Sequence, residues 1–385
     1  MNKGTIVYIG GFELPDKNAA AHRVLNNGKL LRELGYNVVF IGIDKTLKYN
    51  VNQTLEKKKV QGFEYWSLPY PSSNVHWMDY LTNTTFFKKI IRSYSDIKTI
   101  ICYNYQSIPF LKIKNYCKLQ NINIIADCTE WYSTSGTNIV FKIIKGLDSF
   151  LRMRVIQKKV DGIIVISRYL EDYYRNNKNV LYLPPLVDLL EVKWDTSKFS
   201  NDSSRPLIVY AGSPGRNKDK LNLVIEAMSK LRIENQYSFY IVGLTKEQYL
   251  NDYPSHGEII EQLDDSIKFL GRLPHTESLK WVKTADYTMF IREDNRMTRA
   301  GFPTKFVESI SCGTPVITSD NSDLKEYLNE GYNGYFIKDY LGKFSDIKVI
   351  IEQVYREMGQ QKIIDNSAFD FRNYVNQTKV FISNL

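Results

Sequence analysis

Cysteine is scarce in this 385-residue chain: Cys102, Cys117, Cys128 and Cys312 are the whole complement. None stands in Cys-x-x-Cys spacing and no histidine cluster accompanies them, which argues against a zinc site, a redox pair or a disulfide framework. They are expected to be reduced packing residues, with no metal bound. Long apolar runs are missing too, since no stretch of about 18 uncharged apolar residues occurs. The first strand-like segment, Thr5 to Gly10, is too short for a signal-peptide core. The expectation is a cytoplasmic protein. Acidic residues are few in the first half: residues 1–190 hold 26 Lys and Arg against 15 Asp and Glu, a net of +11. The remainder holds 25 against 27, a net of −2. One half therefore suits an anionic partner such as a phosphorylated substrate, a membrane surface or nucleic acid.

With 43% hydrophobic residues the chain can bury two cores. Short β-branched and aromatic runs alternate with segments of helical period, the pattern of parallel sheets made from strand-helix-strand units. The first series places strands at Thr5 to Gly10, Asn37 to Ile43, Lys98 to Tyr103, Ile122 to Ala126, Gly162 to Ile166 and Val180 to Leu183. Helices fall at Ala19 to Leu34, Gln106 to Leu119 and Val140 to Val160. A polar stretch follows, and a second series has strands at Leu207 to Ala211, Phe239 to Val242, Ile267 to Leu270, Tyr287 to Ile291, Pro315 to Thr318 and Gly334 to Ile337. Helices begin near Asp219, His275, Thr304, Ser322 and Asp346. This predicts an α/β chain of two Rossmann-like domains, 1–190 and 206–368, joined by a linker at 191–205. A last helix, about 369–385, crosses back to the first domain. Ligands of such sheets bind outside the carboxyl ends of the strands.

Three segments lie at those ends. Gly10-Gly11 follows the first strand and precedes the helix carrying His22 and Arg23, where a close backbone approach and a helix N-terminus suit an anion; taken alone, a Gly-Gly is more often a tight strand-to-helix turn without a ligand. The loop Gly212-Ser213-Pro214-Gly215-Arg216-Asn217-Lys218-Asp219-Lys220 brings Arg216, Lys218 and Lys220 to a helix start, where the dipole disfavours cations. A bound phosphate resolves that conflict, and a solvated basic turn is the alternative. The third is Gly301-Phe302-Pro303-Thr304-Lys305-Phe306-Val307-Glu308: Pro303 suits a first helical position, and Glu308 lies one turn beyond Thr304 on the same side. At the first sheet's edge, Asp127 and Glu130 are candidates to orient a hydroxyl or take its proton, and His22 is a further catalytic candidate; loop capping is the alternative for the two carboxylates.

On these stretches, with Asn18 to Arg23 and Gly271-Arg272-Leu273-Pro274-His275, the sequence resembles the family-4 retaining glycosyltransferases of the GT-B fold, particularly the bacterial cell-surface polysaccharide branch. The resemblance implies two facing Rossmann-like domains. It also implies metal-independent transfer of a sugar from a nucleotide diphosphate donor to a hydroxyl of a glycan or lipid-diphosphate-linked acceptor, with retained configuration and no cofactor. Glu308 then matches the second Glu of the family's E-x7-E motif and binds the donor ribose. Thr304 and Lys305 supply backbone N–H groups to the diphosphate, and Gly301 and Phe302 belong to the donor-binding set. Lys218, ahead of Arg216 and Lys220, supplies the neutralising cation; Arg272 and Leu273 contact the base; Gly10 and Gly11 approach the sugar. The first Glu of the motif is Ala300 here, and Arg292 or Glu293 is the nearest substitute.

Other readings of the same architecture are a sugar-nucleotide epimerase, a phosphorylase and a non-catalytic sugar-nucleotide-binding subunit, because fold alone does not fix function. No nucleic-acid-binding signature accompanies the charge. The basic half has a better use at the inner face of an anionic membrane. Val140 to Val160 interleaves Lys142, Lys145, Arg152, Arg154, Lys158 and Lys159 with Phe141, Ile143, Ile144, Leu147, Phe150 and Leu151, and Thr84 to Ser95 adds Phe86, Phe87, Lys88, Lys89 and Arg92.

Overall fold

The computed structural model describes residues 2–50, 55–131, 139–177, 179–200, 205–215, 218–230, 237–263, 266–339, 345–357 and 363–385. The chain divides into two compact units, Met1–Val187 with Ala300–Phe302 and Asp370–Leu385, and Asp188–Arg299 with Pro303–Phe369. Each is an α/β body built on one sheet.

In the first unit the strands are β1 (Thr5–Gly10), β2 (Asn37–Asp44), β3 (Lys57–Val60), β4 (Phe63–Pro69), β5 (Ile97–Tyr103), β6 (Asn123–Cys128), β7 (Gly162–Val165) and β8 (Val180–Tyr182). They pair in the order β3-β4-β2-β1-β5-β6-β7-β8. Every pair is parallel except the β3–β4 edge. The chain therefore winds outward from β1 to one side and returns to start the other side at β5, so a switch point lies where β1 and β5 meet. The helices are α1 (Ala19–Glu33), α2 (Asn74–Tyr80), α3 (Thr85–Ile91), α4 (Ser107–Gln120), α5 (Ile139–Phe150) and α6 (Arg168–Tyr174). Asn18 starts α1 by accepting the Ala21 amide at 2.8 Å, the usual work of an N-cap side chain. The apolar side of α1 packs Ala21, Val24, Leu25, Leu30 and Leu31 on Tyr8, Val38 and Phe40 of the sheet.

Two segments read as membrane-facing part company here. Phe86, Phe87, Ile90 and Ile91 of α3 are buried in the core while Lys88, Lys89 and Arg92 are solvated. That helix is an ordinary amphipathic one, spending its apolar face internally. On α5, by contrast, Ile143, Ile144, Leu147 and Phe150 are all exposed. Beyond Phe150 the backbone widens into a π-helical turn, Leu151–Ile156, which turns Arg152 inward to donate to the Asn104 carbonyl at 3.1 Å. Arg152 thus belongs to the interior rather than to a basic surface. The side chains of Val140 and Phe141 lie outside the described residues.

The second unit contains β9 (Leu207–Ala211), β10 (Ser238–Val242), β11 (Ile267–Gly271), β12 (Tyr287–Phe290), β13 (Val316–Ser319) and β14 (Gly334–Ile337), all parallel in the order β11-β10-β9-β12-β13-β14. This is the doubly wound order, with its switch point between β9 and β12. Its helices are α7 (Leu221–Lys230), α8 (Lys246–Asp252), α9 (Gly257–Leu263), α10 (His275–Thr284), α11 (Arg296–Ala300), α12 (Thr304–Ser311) and α13 (Ser345–Arg356). The helix expected near Ser322 is a single 3-10 turn, Leu324–Glu326; Ser322 itself is left-handed at φ 53°. The last helix, α14 (Val375–Ser383), belongs to the first unit, where Phe381 enters the core.

Gly10 closes β1 at the first switch point. A Cβ there would lie 2.7 Å from both the Cβ and the carbonyl oxygen of Tyr103 on β5, whereas no atom lies within 4 Å of a Cβ added to Gly11. Backbone cannot step aside cheaply inside a strand pair. Gly10→Val is therefore expected to lose about 1–3 kcal/mol in a denaturant or thermal melt, and Gly11→Ala to melt within a degree or two of the parent. Equal melting of the two variants contradicts this packing.

Candidate functional site

The carboxyl edge of the second sheet gathers charge where doubly wound sheets bind ligands. The loop after β9 runs back across the end of β12: the Lys220 amide donates to the Ile291 carbonyl at 2.8 Å, and Asp219 bridges antiparallel to Arg292. This brings Asp219, nearly devoid of exposure, under the switch point. Its Oδ1 accepts the Arg292 Nε–H at 2.6 Å, and its Oδ2 takes the Tyr210 hydroxyl at 2.9 Å and pairs with the Lys305 ammonium at 2.8 Å. Burial opposes the Asp219 charge, but Arg292 and Lys305 outweigh it and hold the carboxyl below its ordinary range. Burial pushes the Lys305 ammonium down and Arg292 adds to this, while Asp219 works the other way. One carboxylate between two cations leaves the cluster one positive charge in excess.

Lys305 enters from the first turn of α12. It also donates to the Ser213 carbonyl at 3.0 Å. Pro303, the N-cap, offers no side-chain acceptor, and the first turn contains no acidic residue. The amide dipoles of that turn and the Lys305 side chain therefore present positive charge together, the recurrent arrangement for binding phosphate. One turn on, Glu308 is half-buried, with its Oε1 3.2 Å from Nε2 of His275 at the start of α10.

The sequence-derived candidates distribute as follows. Lys305, Arg292, Thr304 and Glu308 lie on or beside this cluster. Lys220 pairs with Glu293 at 3.0 Å. Lys218, the first choice as the neutralising cation, is exposed on the loop, and Arg216 lies outside the described residues. Arg272 is exposed; Leu273 packs against the Leu207–Val209 core. Gly301 and Phe302 group with the first unit, Phe302 buried. Sequence reasoning passed over Asp219. Although it sits between Lys218 and Lys220 in sequence, its carboxylate turns away from them to Arg292, Lys305 and Tyr210.

In the first unit, Gly10 and Gly11 stand at the switch point, with Gly11 exposed. Glu130 and His22 are half-buried. Asp127 has no exposure at all: Arg23 grips it from Nε and Nη2, the latter at 2.8 Å, and the Tyr8 hydroxyl donates to Oδ2. As it stands, that carboxylate is the counter-ion of a buried arginine and holds α1 to β1 and β6; it is not open to a substrate hydroxyl. Among the described residues no group of three or more His, Cys, Asp or Glu is placed to hold a metal ion.

Gly243, after β10, lies against the start of the loop after β9. Its φ of 124° disfavours a side chain, and a Cβ would run into the backbone of Gly212. Gly243→Ala is expected to lower stability by roughly 1–3 kcal/mol and to weaken any anion bound at the β9 loop, as measured by thermal melts with and without phosphate. An unchanged melt contradicts the close approach.

Residues 205–350 match the family model described as glycosyl transferases group 1. No match is found among curated protein sequences. Among solved structures, sucrose-phosphate synthase from Thermosynechococcus elongatus is 16% identical, with 99% of this chain and 98% of that chain covered at a TM-score of 0.70. A glycosyltransferase from Rickettsia africae is 14% identical, covering 99% and 98% at 0.69. Anabaena HepE in complex with UDP and glucose is 14% identical, covering 99% and 100% at 0.63. The fold of this chain is the GT-B fold.

Proposed function

We propose that this chain is a glycosyltransferase that moves a sugar from a nucleotide diphosphate donor to a hydroxyl of a glycan or lipid-linked acceptor, with retention. The observation that carries the reading is the convergence of Lys305, Arg292 and the uncapped start of α12 at the second switch point, with Glu308 one turn deeper. The family match over residues 205–350 supports it, as does the similar Anabaena HepE structure in complex with UDP and glucose.

In this reading the bond between the anomeric carbon and the diphosphate oxygen breaks with its electron pair passing to that oxygen, the acceptor oxygen bonds to the same carbon, and the acceptor's proton passes to the departing diphosphate. Negative charge accumulates on the leaving diphosphate. Fixed cations and helix amides stabilise that growing charge more than the ground state, which is what accelerates the step. Lys305 and Arg292 supply the fixed charge. Lys218, exposed on the loop, serves as a further cation, and Glu308 accepts from the ribose hydroxyls. The first unit's edge, with Gly10, Gly11, His22 and Glu130, is assigned to the acceptor.

No helix among the described residues is long and apolar enough to cross a membrane. The exposed Ile143, Ile144, Leu147 and Phe150, with Lys142 beside them and Arg154, Lys158 and Lys159 beyond, favour attachment to an anionic bilayer surface. That suits a lipid-linked acceptor. In vesicle flotation at low salt, the protein is expected to follow anionic vesicles over neutral ones, and Ile143→Asp with Leu147→Asp to abolish most of this; equal binding to both vesicle types contradicts attachment.

Steady-state kinetics separate the donor contacts. Glu308→Gln is expected to raise the donor KM with little change in kcat, because its ribose contact exists before and during reaction. Lys305→Ala is expected to lower kcat by roughly 10- to 1000-fold, and Lys218→Ala by less. Full activity of both Glu308→Gln and Lys305→Ala overturns this donor site, and donor isomerisation without any acceptor favours an epimerase instead.

A further inference from the structure

Asp219 has no part in the chemistry just described, yet its carboxylate is buried at the switch point. Both of its oxygens are committed: Oδ1 to Arg292, Oδ2 to Lys305 and Tyr210. A buried anion so placed lowers the positive charge facing an incoming diphosphate, which weakens ground-state attraction. It is costly to keep unless it does something for its partners. We propose that Asp219 is a positioning residue that keeps the Lys305 ammonium charged and aimed at the diphosphate site, so that the enzyme presents a fixed cation there at every physiological pH. The inference rests on the donor reading above.

The surroundings of Lys305 explain why an anchor is needed. From its own helix comes Glu308, one turn away; from β9, the Tyr210 ring, 5.1 Å from the ammonium; from the end of β12, Arg292; and from the β9–α7 loop, Asp219 and the Ser213 carbonyl, with Lys220 held by Glu293 and Lys218 exposed. Burial and the Arg292 charge both favour the neutral amine, and Asp219 is the nearest group that opposes them. Without its charge, Lys305 sheds its proton at a lower pH. A neutral amine still fits the space, so the loss appears as a pH-dependent failure to hold an anion.

The test uses the full chain, inorganic pyrophosphate as the probe and isothermal titration calorimetry from pH 6 to 9. Each variant is expressed as a ratio to wild type so that titration of the probe cancels. Asp219→Asn is expected to bind about as well as wild type, or better, near pH 6, and roughly tenfold or more worse near pH 9. The double variant Asp219→Asn with Lys305→Arg is expected to lose this trend, since a guanidinium holds its proton throughout. A purely structural Asp219 gives a ratio that does not change with pH, and that result overturns the inference. Absence of pyrophosphate binding by wild type overturns the donor reading and the inference with it, whereas binding by wild type with a flat Asp219→Asn ratio overturns the inference alone. If Asp219→Asn melts below the assay temperature, Lys305→Met in the same chain is expected to restore melting by removing the uncompensated ammonium; no recovery contradicts the anchor.

Discussion

One carboxylate held between two cations organises the second unit's ligand edge. Asp219 ties the loop after β9 to Arg292 at the end of β12 and to Lys305 at the start of α12, reinforcing the Lys220–Ile291 and Lys305–Ser213 hydrogen bonds and the Lys220–Glu293 pair between the same segments. Removing one partner of such a buried group typically costs about 3–5 kcal/mol, because the others are left uncompensated. The pairing therefore sets which way the cations point as well as holding the loop down.

The topology makes this possible. In a sheet ordered β11-β10-β9-β12-β13-β14, the chain leaves β9 in one direction and β12 in the other, and the gap between the two connections is where a ligand can reach backbone amides. Glycine keeps the floor of that gap low, with Gly243 lying directly on Gly212. The first unit repeats the scheme at β1 and β5 with a different filling. There the buried pair of Arg23 and Asp127 secures α1 against the sheet, and the exposed edge is left to Gly11, His22 and Glu130.

Much of this was legible in the sequence. Thr5–Gly10, Leu207–Ala211 and Gly334–Ile337 are strands at the expected residues, because short β-branched runs between turn signals have few other ways to bury themselves. The strand Lys57–Val60 escaped notice since its three lysines suit a solvated edge and carry no apolar alternation, and Phe63–Pro69 beside it was missed along with it. The α12 motif was readable from Pro303, Thr304 and Glu308. Asp219 was not, because a carboxylate between Lys218 and Lys220 reads as a local surface charge, and its true partners, Arg292 and Lys305, lie 73 and 86 positions along the chain. The same limit applies to Asp127: its place at a strand end suggested chemistry, while Arg23, which occupies it, is 104 positions away.

The central claim is that a nucleoside diphosphate binds at the β9–β12 switch point of the second unit. A crystal structure of the full chain with UDP tests it most directly. The account predicts diphosphate oxygens at hydrogen-bonding distance from the Lys305 ammonium, the Arg292 guanidinium and the first amides of α12, with the ribose hydroxyls on Glu308. A nucleotide bound elsewhere on the chain, with Glu308 and the start of α12 untouched, would contradict it.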